Sequence, residues 1–235
     1  MLDSYLPLAR RLLEQTELTH RVAAATLDDL LAASSIQRHP PGRTFSMRGQ
    51  PMANLLFVLE GSLEVSMEGS DGRRSIVWYL APGQWMGLIP ILDGKGAIHN
   101  LRAHTEAVLL HVPRATFQAA LQADQSLALM CLDVLCERSR SIYDNMASET
   151  LLPLRARVAR LLLLLLEQHG RDAVTGIELA LKLSQDEFAA MLGVTRQSLN
   201  RELKALEKMA VLSISYSRIT LQDLPALQAL AGVAA

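Results

Sequence analysis

Leu183–Glu207 reads LSQDEFAAMLGVTRQSLNRELKALE, and its spacing predicts two short helices joined by a tight turn. Ser184 is suited to cap the first helix, and Glu187, three residues on, completes a capping box. Phe188, Ala189, Met191 and Leu192 then recur at helical spacing. Gly193 supplies the left-handed residue that ends the helix. Thr195 caps the second helix, whose apolar face is Leu199, Leu203 and Leu206. The opposite face carries Arg196, Gln197, Asn200, Arg201 and Lys204. An apolar-backed helix with an Arg/Gln/Asn front is the chemistry of a DNA-reading helix, although a merely solvated face has the same periodicity. Three positions favour the DNA reading. In a helix-turn-helix the fifth residue must be small, the ninth must turn and the fifteenth must pack inward. With Gln185 as the first, these are Ala189, Gly193 and Leu199.

The flanks extend this motif. Residues 154–170 form a leucine-rich helix closed by Gly170. Its run Leu161–Leu166, preceded by Arg160, is far short of the roughly 20 residues a membrane span needs and reads as buried. Residues 171–183 carry Gly176 and alternating Ile177, Leu179, Leu181 and Leu183, a short strand or wing. Val211–Ser215 and Ile219–Leu221, with Ser215–Arg218 between them, predict a hairpin. The C-terminal part is thus a winged helix-turn-helix, with a last helix expected in Leu224–Ala235.

Upstream, Pro153 lacks an amide donor and disfavours helix before it, so Leu152-Pro153 is the expected hinge. Ser126–Thr150 contains neither Gly nor Pro and predicts one long helix. Its main stripe is Leu127, Cys131, Val134, Leu135, Ile142 and Met146. A helix of this length pairs most simply with its own copy, and it can also lie on its own domain. In residues 43–113, short apolar runs alternate with turn signals. Leu55–Leu59, Leu63–Met67, Ile76–Leu80 and Val108–Val112 predict strands of a β-roll of double-stranded β-helix (jelly-roll) type. Asp71-Gly72 is a hairpin-turn candidate. Residues 1–35 read as helical, with stripes of Leu2, Leu6, Leu12 and Leu13, then Leu27, Leu30 and Leu31. The His39–Gly42 HisProProGly segment breaks that helix. The fold expected is α+β: an N-terminal roll with helices (1–124), a dimerisation helix and hinge (125–152) and a winged helix-turn-helix (153–235).

Composition constrains function more loosely. Net charge is −1, but residues 1–153 hold 13 basic and 16 acidic side chains, and residues 154–235 hold 10 and 8. The asymmetry points the right way for a DNA-binding C-terminal part. Cys131 and Cys136 lack metal-type spacing, which fits reduced thiols in a cytoplasmic protein; no leader or membrane segment is read. His99, His104 and His111 come without a nucleophile motif or ligand spacing, so no catalytic residue is assigned and an enzyme is not expected. The alternative is a cupin-like metal-binding or ligand-binding roll with an accessory helical domain.

The order of parts resembles the Crp/Fnr family of transcription regulators over nearly the whole chain. The matching segments are Gly49-Gln50-Pro51 with Leu55–Gly61, then Leu80–Gly87, then Leu183–Glu207. The resemblance implies a homodimer joined through residues 126–150. Its recognition helices enter successive major grooves of a palindromic double-stranded operator, and it engages RNA polymerase. Carried over by position, Arg196, Gln197 and Asn200 fall at base contacts, Arg201 at a base or phosphate contact, and Ser198 and Lys204 at phosphate contacts. The family's cyclic-AMP members commonly have Glu where Gln197 stands, so the operator should differ from theirs.

The effector positions depart further. Cyclic-AMP binders hold the ribose with Gly-Glu-Leu and the phosphate with an Arg-Ser pair. Here Gly87 is followed by Leu88, no arginine lies between Gly87 and Arg102, and the Arg-Ser positions fall near Ala97, Ile98 and His99. The long-helix pair that contacts adenine falls at Ile142 and Tyr143. An anionic phosphate without Arg would be costly to desolvate, so cyclic AMP is not expected as a tight effector. Residues 1–130 contain no cysteine, which excludes the family's N-terminal iron–sulfur cluster. Haem would need His99, His104 or Met86 as axial ligand. Met86, Gly87, Leu88, Ile98, His99, Ile142 and Tyr143 are the candidate pocket. Its composition suits a small apolar ligand, or side chains filling it with no effector and no metal or cofactor.

Overall fold

The computed structural model describes residues 3–15, 22–70, 72, 74–215 and 218–232. They form two compact units, residues 1–140 and 141–235. The candidate positions Leu2 and Asp71, and the tip of the expected C-terminal hairpin, lie outside the described residues.

The first unit begins with a 3-10 turn, Asp3–Tyr5, and two helices, α1 (Leu6–Gln15) and α2 (Ala24–Ala33). Eight strands follow: β1 (Ser35–His39), β2 (Thr44–Ser46), β3 (Asn54–Glu60), β4 (Leu63–Glu68), β5 (Arg74–Leu80), β6 (Trp85–Met86), β7 (Asn100–Ala103) and β8 (Ala107–Pro113). They make two four-stranded antiparallel sheets, in the orders β1-β8-β3-β6 and β2-β7-β4-β5. Leu55, Phe57 and Leu59 from the first sheet share one core with Leu63, Val65 and Leu101 from the second, so the roll expected from the turn spacing is present. In β3, residues 55–59 are all buried, because α1 and other helices cover the outer face of its sheet. That double burial explains why β3 reads as a continuous apolar run and not as an alternation.

Two expectations change here. The helix anticipated up to His39 stops at Ala33, and Ser35–His39 is the edge strand β1, paired with β8 from Ser35↔His111 to His39↔Ala107. The edge position leaves β1 mostly exposed, so no apolar period marks it. Between β6 and β7 the chain also forms a short helix, α3 (Leu88–Asp93), entered and left through left-handed Gly87 and Gly94. The glycine at 61 is required by space: its φ is +81°, and a Cβ there would stand 2.1 Å from the carbonyl oxygen of Glu106. Buried Glu64 is paired with Arg102 at 3.0 Å and with Arg74. His111, buried from β8, meets His39 with 3.1 Å between their Nε2 atoms, and His39 turns its ring edge to Phe45.

After α4 (Arg114–Ala123), helix α5 (Gln125–Leu151) runs across the division between units. Leu127, Met130, Cys131 and Val134 are buried in the roll's own core, with Leu135 packed beside them. The expected stripe therefore splits: its first part faces the roll, whereas Ile142 and Met146 are exposed. Burial pushes the Cys131 thiol up to about 11, which removes it as a ready thiolate.

The second unit contains α6 (Leu154–His169), β9 (Gly170–Ala173), β10 (Gly176–Leu179), α7 (Gln185–Leu192), α8 (Arg196–Lys208), β11 (Leu212–Ser215), β12 (Arg218–Leu221) and α9 (Leu224–Ala231). Its strands form one sheet in the order β11-β12-β10-β9. The segment expected as a strand before the paired helices is thus a hairpin that joins the wing hairpin in a single sheet. In α6, Val158, Leu161, Leu162, Leu165 and Leu166 are buried, as the leucine run predicts.

Candidate nucleic-acid interface and effector site

The helix pair is built as its residues dictate. Ser184 and Glu187 form the reciprocal capping box at α7, and Gly193 ends that helix at φ +65°. Thr195 caps α8, accepting from the Ser198 amide at 3.2 Å. Phe188, Ala189 and Leu192 of α7 and Leu199, Leu203 and Leu206 of α8 are buried. Burying these side chains contributes on the order of 1.5–3 kcal/mol for each large one, and it fixes which face of α8 points outward.

That outward face gathers Arg196, Gln197, Asn200, Arg201 and Lys204 around one shallow concavity. Ser198, the sixth candidate, is half-buried beside Thr195, whose hydroxyl donates to its Oγ at 3.0 Å. Three arginines of α6, absent from the sequence reading as functional groups, hold the assembly from behind. Arg155 pairs through Nε with buried Glu202 of α8 at 2.9 Å. Arg157 donates to the Leu192 carbonyl at the end of α7 at 2.6 Å, and Arg160 to the Ala231 carbonyl of α9 at 2.8 Å.

Gln185 was also missed as a functional residue. Its Oε1 accepts from Arg196 Nε at 3.0 Å and from Asn200 Nδ2 at 2.9 Å. One amide oxygen thus holds two of the three expected base-reading side chains. Asp186 adds an exposed ion pair to Arg196 at 3.4 Å. The visible signal was position alone: Gln185 opens α7 and faces the start of α8.

The candidate effector positions are less uniform. Leu88 is buried as a core residue, Gly87 abuts Met52, Met86 is half-buried and Ile98 is exposed. Ala97, near the expected Arg-Ser site, is also core. Ile142 and Tyr143 belong to the second unit and are exposed. His99 is half-buried, with a buried Nδ1 that has no partner among the described residues. Burial, then Arg138 and Arg48, lower its pKa. Arg138, from α5, donates to the Trp85 carbonyl at 2.6 Å, and burial holds its guanidinium below the usual arginine range. The candidate pocket is therefore not free of arginine, as its sequence neighbourhood suggests. The cation arrives from α5, some forty residues downstream of His99.

A β-roll joined by a long helix to a winged helix-turn-helix defines a sensor-type, DNA-binding transcription regulator, not an enzyme. The Crp-like helix-turn-helix domain matches residues 156–230 and the cyclic nucleotide-binding domain residues 36–124, between them the greater part of the chain. The protein belongs to the Crp/Fnr family of transcription regulators. It is similar to the cAMP-activated global transcriptional regulator Vfr of Pseudomonas aeruginosa, at 27% identity over 84% of this chain and 94% of that one. The HTH-type transcriptional regulator Cmr of Mycobacterium tuberculosis is 29% identical over 89% of this chain and 80% of its own. Among solved structures, FixK2 from Bradyrhizobium japonicum superposes with a TM-score of 0.76 at 24% identity, covering 86% of this chain and 99% of that one. A CRP-family regulator from Thermus thermophilus gives 0.69 at 29%, covering 84% and 97%. Among the described residues no single helix is long and apolar enough to cross a membrane.

Proposed function

We propose that the protein is a cytoplasmic homodimer that binds a palindromic operator and, on the family's pattern, acts on RNA polymerase beside it. The carrying observation is a second apolar stripe on α5. Leu129, Leu132, Cys136, Ser139, Tyr143 and Met146 recur at alternating steps of three and four, and all six are exposed. A seam of that period suits a second copy of the same helix. Symmetric pairing would give two copies of the Arg196–Lys204 face, which suits two half-sites about one helical turn apart, roughly 34 Å. On each, Arg196, Gln197 and Asn200 read base edges, Arg201 reads a base or phosphate, and Ser198 and Lys204 hold phosphates.

The effector is proposed to differ from cyclic AMP. Leu88 and Ala97 are core residues where the cyclic-AMP pattern needs an acid and a cation, so supplying either would mean burying a charge. Selection of bound duplexes from a random pool, with and without cell extract, tests the reading. A symmetric consensus is expected; enrichment of unrelated or asymmetric sequences would refute it. Calorimetry with cyclic AMP is expected to give no micromolar binding.

A further inference from the structure

We propose that the first unit holds a binding site for a small anion, a carboxylate or phosphate group of a metabolite, between Arg138 of α5 and His99 of the loop before β7. The guanidinium of Arg138 is the decisive group. It can donate five hydrogen bonds, yet its only described partner is the neutral Trp85 carbonyl, at 2.6 Å. Among the described residues no carboxylate pairs with it, although its side chain reaches into the half-buried zone where β6 meets α5. A cation withdrawn from water without a counter-charge is unfavourable, and proteins ordinarily pair one or bind an ion there.

His99 supplies the second observation. Its Nδ1 is shut off from solvent and bonds to nothing, which is costly for a ring nitrogen unless a ligand completes it. As the neutral Nδ1–H tautomer it would donate to an anion. The surrounding loop is held firmly enough to present it. Gly49 and Gln50 are tied to Ala97 by backbone hydrogen bonds of 2.7 and 2.8 Å, and the Arg48 amide donates to Asn100 Oδ1 at 2.9 Å. Gly96 lies so close that a Cβ there would stand 2.2 Å from the Gly49 carbonyl oxygen. This brings a second cation, exposed Arg48, beside the same loop. Two arginines and an imidazole, with no acid bonded to any of them, form a site for negative charge and not for the purely apolar ligand that Leu88 and Ile98 suggest.

The inference deepens the sensor role proposed above, but its test uses no DNA, so either can fail alone. The full chain is melted in sodium phosphate and, separately, sodium succinate, with sodium chloride holding ionic strength constant. Saturable stabilisation by about 3 °C is expected in at least one arm; the arm that responds identifies phosphate or carboxylate. Arg138→Met should abolish the shift and His99→Phe should weaken it. Without added anion, Arg138→Met should melt at the wild-type temperature or above, because it removes an uncompensated charge. No saturable shift in either arm would overturn the proposal. So would a shift that survives Arg138→Met, or a lower anion-free melting temperature for that variant, which would make Arg138 a structural prop for Trp85.

Discussion

Replacing Gln185 with Ala removes one acceptor and frees two reading side chains. The Gln185 oxygen holds Arg196 at 3.0 Å and Asn200 at 2.9 Å in the unbound protein. Arg196 is exposed and Asn200 half-exposed, so the two hydrogen bonds add little to folding stability, less than about 1 kcal/mol. Their value lies in preorganisation. Ordering a rotamer-rich side chain on binding costs about 0.5–1.5 kcal/mol, and two are released here. The expected loss is therefore about 1–2 kcal/mol at the selected operator, roughly 5- to 30-fold in affinity. Arg196 keeps its charge in the variant, so binding to random duplex and the salt slope should hardly change. Fluorescence anisotropy of the selected and a scrambled duplex, across a salt series, makes the measurement. Equal weakening on both duplexes would show that Gln185 acts on the backbone or on the fold. No weakening on either would refute preorganisation outright. Arg196→Ala is the companion control: it should cost about 1–3 kcal/mol at the operator and relax one base position.

Three further outcomes test other parts of the structure. Leu132→Asp, on the exposed stripe of α5, should convert the protein to monomer in sedimentation velocity while leaving its far-ultraviolet circular dichroism unchanged. Gly61→Ala places a methyl group 2.1 Å from a backbone oxygen at a left-handed residue and should destabilise by at least about 2 kcal/mol in urea unfolding. Burial and neighbouring His39 hold His111 near a pKa of about 4, down from 6.5. The unfolded chain thus binds this proton first, and stability falls as pH drops from about 6.5 toward 4, by at most about 3 kcal/mol. His111→Phe should flatten that acid limb, measured by urea unfolding at pH 7.5, 6 and 5.

Elements whose signal is local were readable from the chain. The capping box at Ser184, the left-handed Gly193 and the inward Leu199 are all dictated within one or two helical turns, and each stands where its spacing places it. β1 was not readable, because an edge strand with exposed residues carries no apolar period. The apolar stripe of α5 was read as one seam, whereas the helix has two apolar sides, and only tertiary packing tells which meets the roll. The anion-facing groups were hidden for a different reason. Arg138 and His99 are distant in sequence, and nothing in either neighbourhood announces the other. Gln185 is the intermediate case: its place at the head of α7 was visible, but its two hydrogen bonds depend on how α7 crosses α8.

The three arginines of α6 have a consequence for how such a regulator diversifies. All the ties they make run to the inner sides or ends of α7, α8 and α9. None of Arg196, Gln197, Asn200, Arg201 and Lys204 receives such a tie, and none is buried. Their side chains can be exchanged one at a time at small expense to folding, typically within about 0.5 kcal/mol. A duplicated copy could therefore drift to a new operator through single substitutions, each intermediate still folded, with its spine of arginines inherited intact.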